Sequence, residues 1–499
     1  VPGLSVKVAL SKNNNLTYRK IYDIKPLLYD FGREGSGGRI LGDLIGSSLS
    51  PDPGREKLVN QYGRFSSYQF NGQISYKKDF EQHHIDAFAV YEQYESTYSG
   101  IALTRYNYPV VRTDQIFATS PDPLNQSSDG SEFESARLSY VGKANYSFAN
   151  RYLVSASLRR DGSMLFAPEN QWGWFPSMSA GWRISEESFF KDNIGFIESL
   201  KLRASYGLTG NDNVGGWLWQ EQYGTDPKNG SIYLGNVLQS SLYYSNIPVK
   251  DLTWEKSKSY NFGIDATVLK SLSVSADYWT RNTYDILGPR ILALPSSFGA
   301  ALPAQNYGKV DSHGFELEIG YEGKTNFGLG YHIRGNFSYA TNKVVQKDYA
   351  SNGLPAYNPN GKPTNFVVGL VNTGIIRTQA DLDKLPSGYT VYGVDPSMGA
   401  LSFKDISGPL NAPDGKIDSY DLDVISLKGN VPYTGGLSLA GYWKGLILEV
   451  FFQGNFGQEK LYYDLQARQA DLYDIPWKHW TDSWTPENPG AKYPRAYEP

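Results

Sequence analysis

The chain of 499 residues contains no cysteine. Disulfide scaffolds and thiolate metal sites are therefore excluded. Histidine is scarce as well, and the five histidines show neither an H-E-x-x-H motif nor other metal-ligand spacing. G-x-S-x-G, P-loop and dinucleotide-binding motifs are also missing. The sequence therefore indicates a protein that is not an enzyme and has no catalytic residues.

Long hydrophobic runs are missing too. No segment approaches the roughly 18 apolar residues of a transmembrane helix, which excludes a helical membrane protein. Hydrophobic content is only 40%, below that of an average globular protein, so a thick apolar core is not indicated. The net charge of -4 and the lack of a Lys/Arg run argue against nucleic-acid binding. A membrane β-barrel is not excluded, because only every second residue of its strands faces lipid.

The pattern that is present is a two-residue alternation. Between residues 315 and 321, Glu316 and Glu318 alternate with aliphatic and aromatic side chains, and the same pattern resumes at 331–339. Period two predicts β-strands with one apolar and one polar face. About thirteen such segments of roughly ten residues occur, near the ~9–11 residues that cross a bilayer when tilted. One short helix is predicted within 185–199, with Ser185 as its N-cap.

The predicted connections are unequal in a regular way. Every second one is short, apart from the helical link, and the others are long. Short turns on one end and long loops on the other are typical of a transmembrane antiparallel β-barrel, so we predict this all-β fold. The short connections are 77–82, 148–151, 270–271, 322–328 and 444–445, and the long ones are 11–61, 99–131, 209–253, 287–306 and 344–432.

The chain is expected to be part of a longer polypeptide. An odd number of strands leaves an antiparallel sheet open, and an open edge is not viable in lipid. No signal peptide precedes the first strand, although an exported barrel needs one. Residues 1–499 are therefore predicted to form a partial β-barrel domain.

Several stretches resemble one family. They are RYLVSASLRRDGS (151–163), WGWFPSMSAGWRISEESFF (172–190), SLKLRASYGLTGN (199–211), LTWEKSKSYNFGID (252–265), NYGKVDSHGFELEI (306–319) and DGKIDSYD (414–421). In this order they are similar to the SusC/RagA-like TonB-dependent transporters of Bacteroidetes outer membranes. The resemblance implies a 22-stranded barrel with an N-terminal plug. The thirteen strands would be about the seventh to the nineteenth, with the plug, the first strands and the last strands outside this chain.

The resemblance also implies a function. A SusD-like surface lipoprotein would cap the barrel and capture a glycan or peptide. TonB, acting through a segment absent here, would move the plug so that the ligand crosses the bacterial outer membrane. Outer-membrane lipid and a dimer of transporter–lid pairs are further implied partners. One alternative is a TonB-dependent siderophore or cobalamin receptor, and another is a secreted all-β glycan-binding or adhesin protein.

Aromatic side chains in the long loops are the predicted ligand contacts. Flat rings stack on sugar faces, and tyrosine hydroxyls add hydrogen bonds. The alternative is packing between loops or against the lid protein. Four further tryptophans near strand ends, at positions 174, 182, 279 and 443, are predicted to form an interfacial girdle. The predicted ligand residues are Trp217, Trp219, Tyr243, Tyr244, Trp477, Trp480 and Trp484.

Charged residues on the polar strand faces are predicted to face the lumen and a plug. The alternative role is only to keep the lumen wet, because charges facing lipid are costly. Glu316 and Glu318 do not suggest a glycosidase, because its two carboxyl groups usually stand on different elements across a cleft. The predicted lumen residues are Arg137, Arg159, Arg203, Asp277, Glu316, Glu318, Arg334 and Glu449.

The acidic segment 404–421 predicts a Ca²⁺ site at Asp405, Asp414, Asp418 and Asp421. Oxygen ligands spaced two to four residues apart beside a glycine are what calcium loops need. The inserted segment 408–413 and the lack of a bidentate glutamate depart from that pattern. The alternative is a solvated acidic turn, and no cofactor is required for transport.

Overall fold

The structure is a computed structural model. It describes residues 2–23, 27–34, 40–49, 57–107, 113–225, 231–240, 242–291, 303–349, 354–460 and 478–496.

Thirteen antiparallel strands form one large sheet, and each strand pairs with its neighbours in chain order. This confirms the predicted strand number and orientation. The strands are β1 (Leu4–Asp23), β2 (Lys57–Phe80), β3 (His83–Tyr106), β4 (Gln126–Phe148), β5 (Tyr152–Ser163), β6 (Trp172–Arg183), β7 (Ile197–Asn211), β8 (Glu255–Val268), β9 (Leu272–Pro289), β10 (Ala304–Lys324), β11 (Gly330–Gln346), β12 (Tyr433–Trp443) and β13 (Leu446–Phe456).

The first four strands are about twice as long as predicted, with 20, 24, 24 and 23 residues. The predicted loops 11–61 and 99–131 are therefore wrong at their ends, because residues 11–23, 57–61, 99–106 and 126–131 continue the ladder. Residues 11–15 (SKNNN) are all polar and residues 101–103 (IAL) are all apolar, so these extensions lack the two-residue alternation from which strands are predicted, although the backbone ladder continues through them.

Shorter elements occupy the connections. Two-stranded pairs join 27–34 with 40–49, 222–225 with 242–246 and 231–234 with 237–240. The long connection after β11 contains Val367–Leu370, Asn372–Ile375, Thr390–Val391, Leu401–Phe403, Lys416–Ile417 and Leu422–Ser426. The α-helices are α1 (Ser188–Lys191) and α2 (Gln379–Leu382). The 3₁₀-helices are Ile116–Ala118, Pro123–Asn125, Ile184–Glu186, Pro355–Tyr357, Ser419–Asp421 and Lys478–Asp482.

The predicted short helix is present, but its N-cap is not Ser185. The chain first makes a 3₁₀ turn over Ile184–Glu186, in which Ser185 is buried. Glu187 then adopts an extended conformation and precedes the helix at Ser188. No helix among the described residues is long and apolar enough to span a membrane.

Cross-strand register assigns the two faces of the sheet, because directly opposed residues in an antiparallel pair point to the same side. Val154, Ala180, Ala204, Phe262 and Tyr278 oppose one another in succession across β5–β9. We call this apolar side the outer face. The opposite side, which we call the inner face, carries the mostly polar residues that alternate with these along each strand. The end with turns such as 81–82 and 444–445 is named the short-turn end, and the opposite end the long-loop end.

Three of the four tryptophans predicted to form an interfacial girdle lie on the outer face of the sheet, as the prediction requires. Trp174, Trp182 and Trp443 lie on the outer face near strand ends. Trp279 is opposite Gly314 and adjacent to Glu316, and it lies on the inner face, so its assignment to the girdle is wrong. Its indole N–H donates to Glu316 Oε1 at 3.2 Å. Trp279 also lies in the middle of β9 (Leu272–Pro289) rather than near a strand end, so both its position along the strand and its side of the sheet were predicted wrongly.

A small apolar core joins the long-loop end to the inner face. Phe175 of β6 packs with four loop residues, Phe166, Val249, Leu252 and Trp254. The Trp254 indole N–H donates to the backbone oxygen of Gln171 at 3.1 Å. The Asn306 side chain binds both the backbone N–H and the C=O of Thr253, at 3.0 and 2.9 Å. The loop before β8 is therefore fixed to the wall at two places.

At the short-turn end, Glu187 joins β5, β6 and the helical link. Its carboxylate accepts hydrogen bonds from the Tyr152 hydroxyl at 2.6 Å, the Trp182 indole at 3.1 Å and the Arg151 guanidinium at 3.2 Å. These hydrogen bonds lower the pKa of Glu187, and the one from the Tyr152 hydroxyl has the largest effect.

We expect Glu187→Gln to lower the unfolding temperature of the detergent-solubilised full-length protein by a few degrees, because an amide replaces the charged acceptor. Because the native pKa is depressed, this stabilisation is present above the unfolded pKa of about 4.5 and is lost as the pH falls through the lower native pKa. The difference between wild type and variant should therefore shrink on acidification. Glu198→Gln, an exposed glutamate of β7, is the control. A pH-independent difference would contradict the prediction.

Candidate functional site: the inner face and its loops

The inner face brings the predicted lumen charges together on one side of the wall. Cross-strand register places all eight on that face, and they span strands from β4 to β13. Those residues are Arg137, Arg159, Arg203, Asp277, Glu316, Glu318, Arg334 and Glu449. Contact with a plug stays a prediction for each of them.

Most of these charges are paired with other residues of the same wall. Arg203 lies between two carboxylates: its Nε is 2.7 Å from Asp265 Oδ2, and its Nη2 is 2.9 Å from Asp277 Oδ2. The Ser275 hydroxyl donates to Asp265 Oδ1 at 2.9 Å. Gly263 separates Arg203 from Asp277, and a Cβ at that position would overlap both side chains. The glycine therefore lets the guanidinium and the carboxylate approach across β8.

The other cationic members follow the same rule. Arg159 Nε is 2.7 Å from Asp161 Oδ2, and its Nη2 is 3.7 Å from Glu92 Oε1. Arg334 Nε is 3.3 Å from Glu318 Oε1. The partners Glu92 and Asp161 were not among the predicted lumen residues. Their parity in β3 and β5 was the signal that could have identified them.

Arg137 is paired with the loop that follows β7. Its guanidinium binds Asp212 through two parallel hydrogen bonds of 2.8 and 2.7 Å. Asp212 is buried, with 6% exposure. A bidentate pair of this kind fixes orientation as well as distance. Arg137 therefore holds the start of the loop that contains Trp217 and Trp219 against the wall.

A polar groove lies on the inner face toward the short-turn end, between β2 and β8. It has a volume of about 610 Å³ and is lined by both signs of charge, including Lys77, Asp86, Lys201 and Arg203. Lys77 and Asp86 form an ion pair of 3.2 Å. The surface of this groove can form hydrogen bonds with polar groups of a ligand without presenting one dominant charge.

Two of the predicted ligand aromatics stand together. The ring centroids of Trp217 and Trp219 are 6.4 Å apart, and both rings are half-buried. Leu218 between them packs against the apolar core of Trp254, and its C=O accepts the N–H of Val249 at 2.9 Å. The core therefore supports the turn that presents both indoles.

The remaining aromatics are placed differently. Tyr243 and Tyr244 lie on a short strand, with Tyr244 opposite Tyr223, and Trp477 lies outside the described residues. Trp480 is half-buried in the 3₁₀-helix of 478–482. Trp484 is only 3% exposed, and its indole N–H donates to Arg377 O at 3.2 Å. Trp484 thus packs within the loops, the alternative that its sequence position left open.

The four acidic residues of 404–421 bind backbone amides in the structure. Asp421 is fully buried and accepts from the N–H groups of Ile406, Ser407 and Asp418, at 2.6, 3.1 and 2.8 Å. Asp405, Asp414 and Asp418 accept from Gly415, Lys416 and Tyr420. Among the described residues, no group of three or more acidic, His or Cys side chains is arranged to hold a metal ion. Calcium binding stays a prediction.

We expect Arg203→Met to destabilise the full-length barrel by about 2 kcal/mol, because two carboxylates lose their shared cation. The triple variant Arg203→Met, Asp265→Asn, Asp277→Asn should recover most of that loss, since no unpaired charge remains. Urea unfolding in detergent measures both effects. If the triple variant is as unstable as the sum of the three single variants, the wall charges do not compensate one another.

We expect Asp421→Asn to open the 404–421 segment, with a local loss of about 2–4 kcal/mol, because an amide cannot accept at both carboxylate positions. Hydrogen exchange at Ile406 and Ser407 should quicken, while exchange in β8 stays unchanged. Asp395→Asn, at an exposed position of the same connection, is the matched control and should have no effect. Equal exchange rates in the two variants would contradict the role of Asp421.

Comparison with known proteins agrees with this architecture. Residues 4–486 match the family model described as TonB dependent receptor-like, beta-barrel. The chain is 26% identical over 441 residues to a TonB-dependent receptor of Formosa agariphila, covering 85% of this chain and 42% of that protein. It is 30% identical over 346 residues to the TonB-dependent receptor SusC of Bacteroides thetaiotaomicron, covering 61% of this chain and 34% of SusC.

Solved structures share the fold. The RagAB peptide transporter superposes with a TM-score of 0.75 at 19% identity, over 100% of this chain and 51% of that chain. The chain spans about half the length, or less, of the proteins it matches. Taken with the wall and loops described above, the match over 4–486 establishes that this chain belongs to the TonB dependent receptor-like, beta-barrel family and is a protein of the bacterial outer membrane.

Proposed function

We propose that the full-length protein imports a glycan or peptide across the outer membrane, driven by TonB and together with a SusD-like lipoprotein lid. It is proposed to transport its ligand rather than transform it. The observation that carries this proposal is the charge-compensated inner face. A wall whose arginines are bound by its own carboxylates stays wet, yet it does not hold a passing ligand by one dominant charge.

The loops support a capture step at the long-loop end, which faces the cell exterior in barrels of this kind. Trp217 and Trp219 offer two neighbouring ring surfaces on a turn anchored to the wall. Rings of this kind stack on sugars and on apolar peptide side chains alike. The peptide class has separate support, because the similar RagAB structure is a peptide transporter.

The other functions considered are less well supported. A secreted adhesin is excluded by membership of an outer-membrane barrel family. A siderophore or cobalamin receptor would use the same barrel, but the similarity to SusC and RagAB favours the importer of larger nutrients. The plug, the contact with TonB and a dimer of transporter–lid pairs belong to the proposal through this family likeness.

Isolation of the full-length protein from outer membranes in mild detergent tests the proposal. We expect a lipoprotein of the SusD type to co-purify, and mass spectrometry should identify bound peptide or oligosaccharide. Cells lacking the gene should lose growth on the matching mixture, either a protein digest or a polysaccharide digest. Normal growth on both mixtures, together with retention of an iron chelate, would favour the siderophore receptor.

We expect the double variant Trp217→Ala, Trp219→Ala to weaken ligand capture about thirtyfold, because each stacking ring contributes about 1 kcal/mol. Uptake of the identified ligand at low concentration measures the effect, and uptake at saturating concentration should change little. Trp443→Ala, on the outer face, is the control and should leave uptake unchanged. If both variants behave alike, the loop rings do not contact ligand.

A further inference from the structure

We propose that a phosphorylated lipid of the outer leaflet occupies a specific site on the outer face of this barrel. One acyl chain would lie in an apolar groove across β5–β9, and the phosphate would meet lysine side chains above it, at the long-loop end.

The groove arises from an uneven row of side chains. Along one register row, Val154, Ala180 and Ala204 are small, whereas the next residues, Phe262 and Tyr278, are large and 58% and 49% exposed. Three short side chains beside aromatic ones leave a depression in the wall. Its volume is about 680 Å³, within the range of small-molecule sites.

The walls of this depression are mostly apolar; Arg203 and Asp277 also border it, but they belong to the inner-face register of their strands. Trp182 and Leu202 border it toward the short-turn end, and Phe262 borders it laterally. Met178 and Tyr206, which oppose each other in β6 and β7, stand next along the strands toward the long-loop end. Because this face meets lipid, a hydrocarbon chain is the occupant that fits the groove.

Above the apolar band, the same face becomes basic. Lys258, Asn282, Asp311 and Lys343 oppose one another in one row across β8–β11. Lys309 precedes Asp311 by two residues on β10, and alternation puts it on the same side. Three lysines and one aspartate give this patch a net charge of +2. We call it the lysine row.

The lysines have no competing partner in the wall. Among the described residues, Lys258, Lys309 and Lys343 form no ion pair within 4.0 Å, whereas the neighbouring Lys256 is 3.5 Å from Asp285. The carboxylate of Asp311 accepts a hydrogen bond from the Asn282 amide at 2.8 Å. The three ammonium groups are therefore available to an external anion.

Groove and lysine row lie within reach of one lipid molecule. Lys258 is four residues from Phe262 on β8, which is about 13 Å along the strand, and β8 adjoins the Ala204 column. The rings of Tyr206 and Tyr260 pack at 5.2 Å between them. The row itself spans three strand spacings, about 14 Å, which suits a headgroup carrying more than one phosphate. Lipid charge and lysine row are complementary, as in other basic headgroup sites.

Native mass spectrometry of the detergent-solubilised full-length protein tests the site. The probes are diphosphorylated lipid A, dephosphorylated lipid A and phosphatidylethanolamine, each added at equal concentration. We expect wild-type protein to retain diphosphorylated lipid A selectively. The double variant Lys258→Glu, Lys343→Glu should retain it at least about tenfold less, because two attractive charges become repulsive. Ala204→Leu should also lose retention, by filling the groove without changing charge.

Two controls isolate the site from general effects. Lys78→Glu changes an exposed outer-face lysine near the short-turn end, and Ala89→Leu enlarges an outer-face alanine of β3 outside the groove. Both should retain lipid A as the wild type does, and heat-modifiable migration in gels reports that every variant is folded. Equal retention of dephosphorylated lipid A, or unchanged retention by folded charge and groove variants, overturns the proposal. Lipid loss with normal import would leave the proposed function standing.

Discussion

Backbone hydrogen bonding is the constraint on which the rest of this structure depends. Hydrocarbon offers no partner to an N–H or C=O group, so a strand in lipid must obtain its partners from adjacent strands. In the described part of the chain, β2–β12 satisfy this need by antiparallel pairing on both sides, while β1 and β13 form the two edges of the sheet. The same pairing fixes which way each side chain points, because opposed residues share a face. Wall, lumen and membrane surface thus follow from a single register.

Electrostatics inside the wall follow from that register as well. Arg203, Asp265 and Asp277 come from three adjacent strands, and Gly263 leaves the space in which they meet. Pairing within the wall lets the inner face carry many charges while its local field stays small. The outer lysine row is the reverse case. Lys258 and Lys343 stand three strands apart, and Asp311 is the single charged residue between them in that row, so the row keeps a net positive charge on the outer face.

The loops at the long-loop end are built as a packed layer. Trp254 and Phe166 form a core on the inner face, and the Asn306 side chain secures the backbone of Thr253. In the connection after β11, the buried Asp421 carboxylate takes the place that an apolar core usually has, because it accepts hydrogen bonds from three backbone N–H groups. Both arrangements fix loop backbone through side-chain hydrogen bonds rather than through pairing with the large sheet.

The two-residue alternation and the spacing of the turns were enough to predict the strands, their antiparallel order, the sides of most wall residues and the unequal ends, because a strand between lipid and water must repeat every two residues. Strand length in β1–β4 was missed because the repeat is absent from the extensions, which contain all-polar and all-apolar runs. Trp279 was misplaced because its position and side within β9 depend on the strand bounds and register. The pairing of the charges, the burial of Trp484 and the groove formed by small side chains in β5–β7 became known from the structure alone. Each of these depends on residues far apart in the chain, whose distances no local pattern contains.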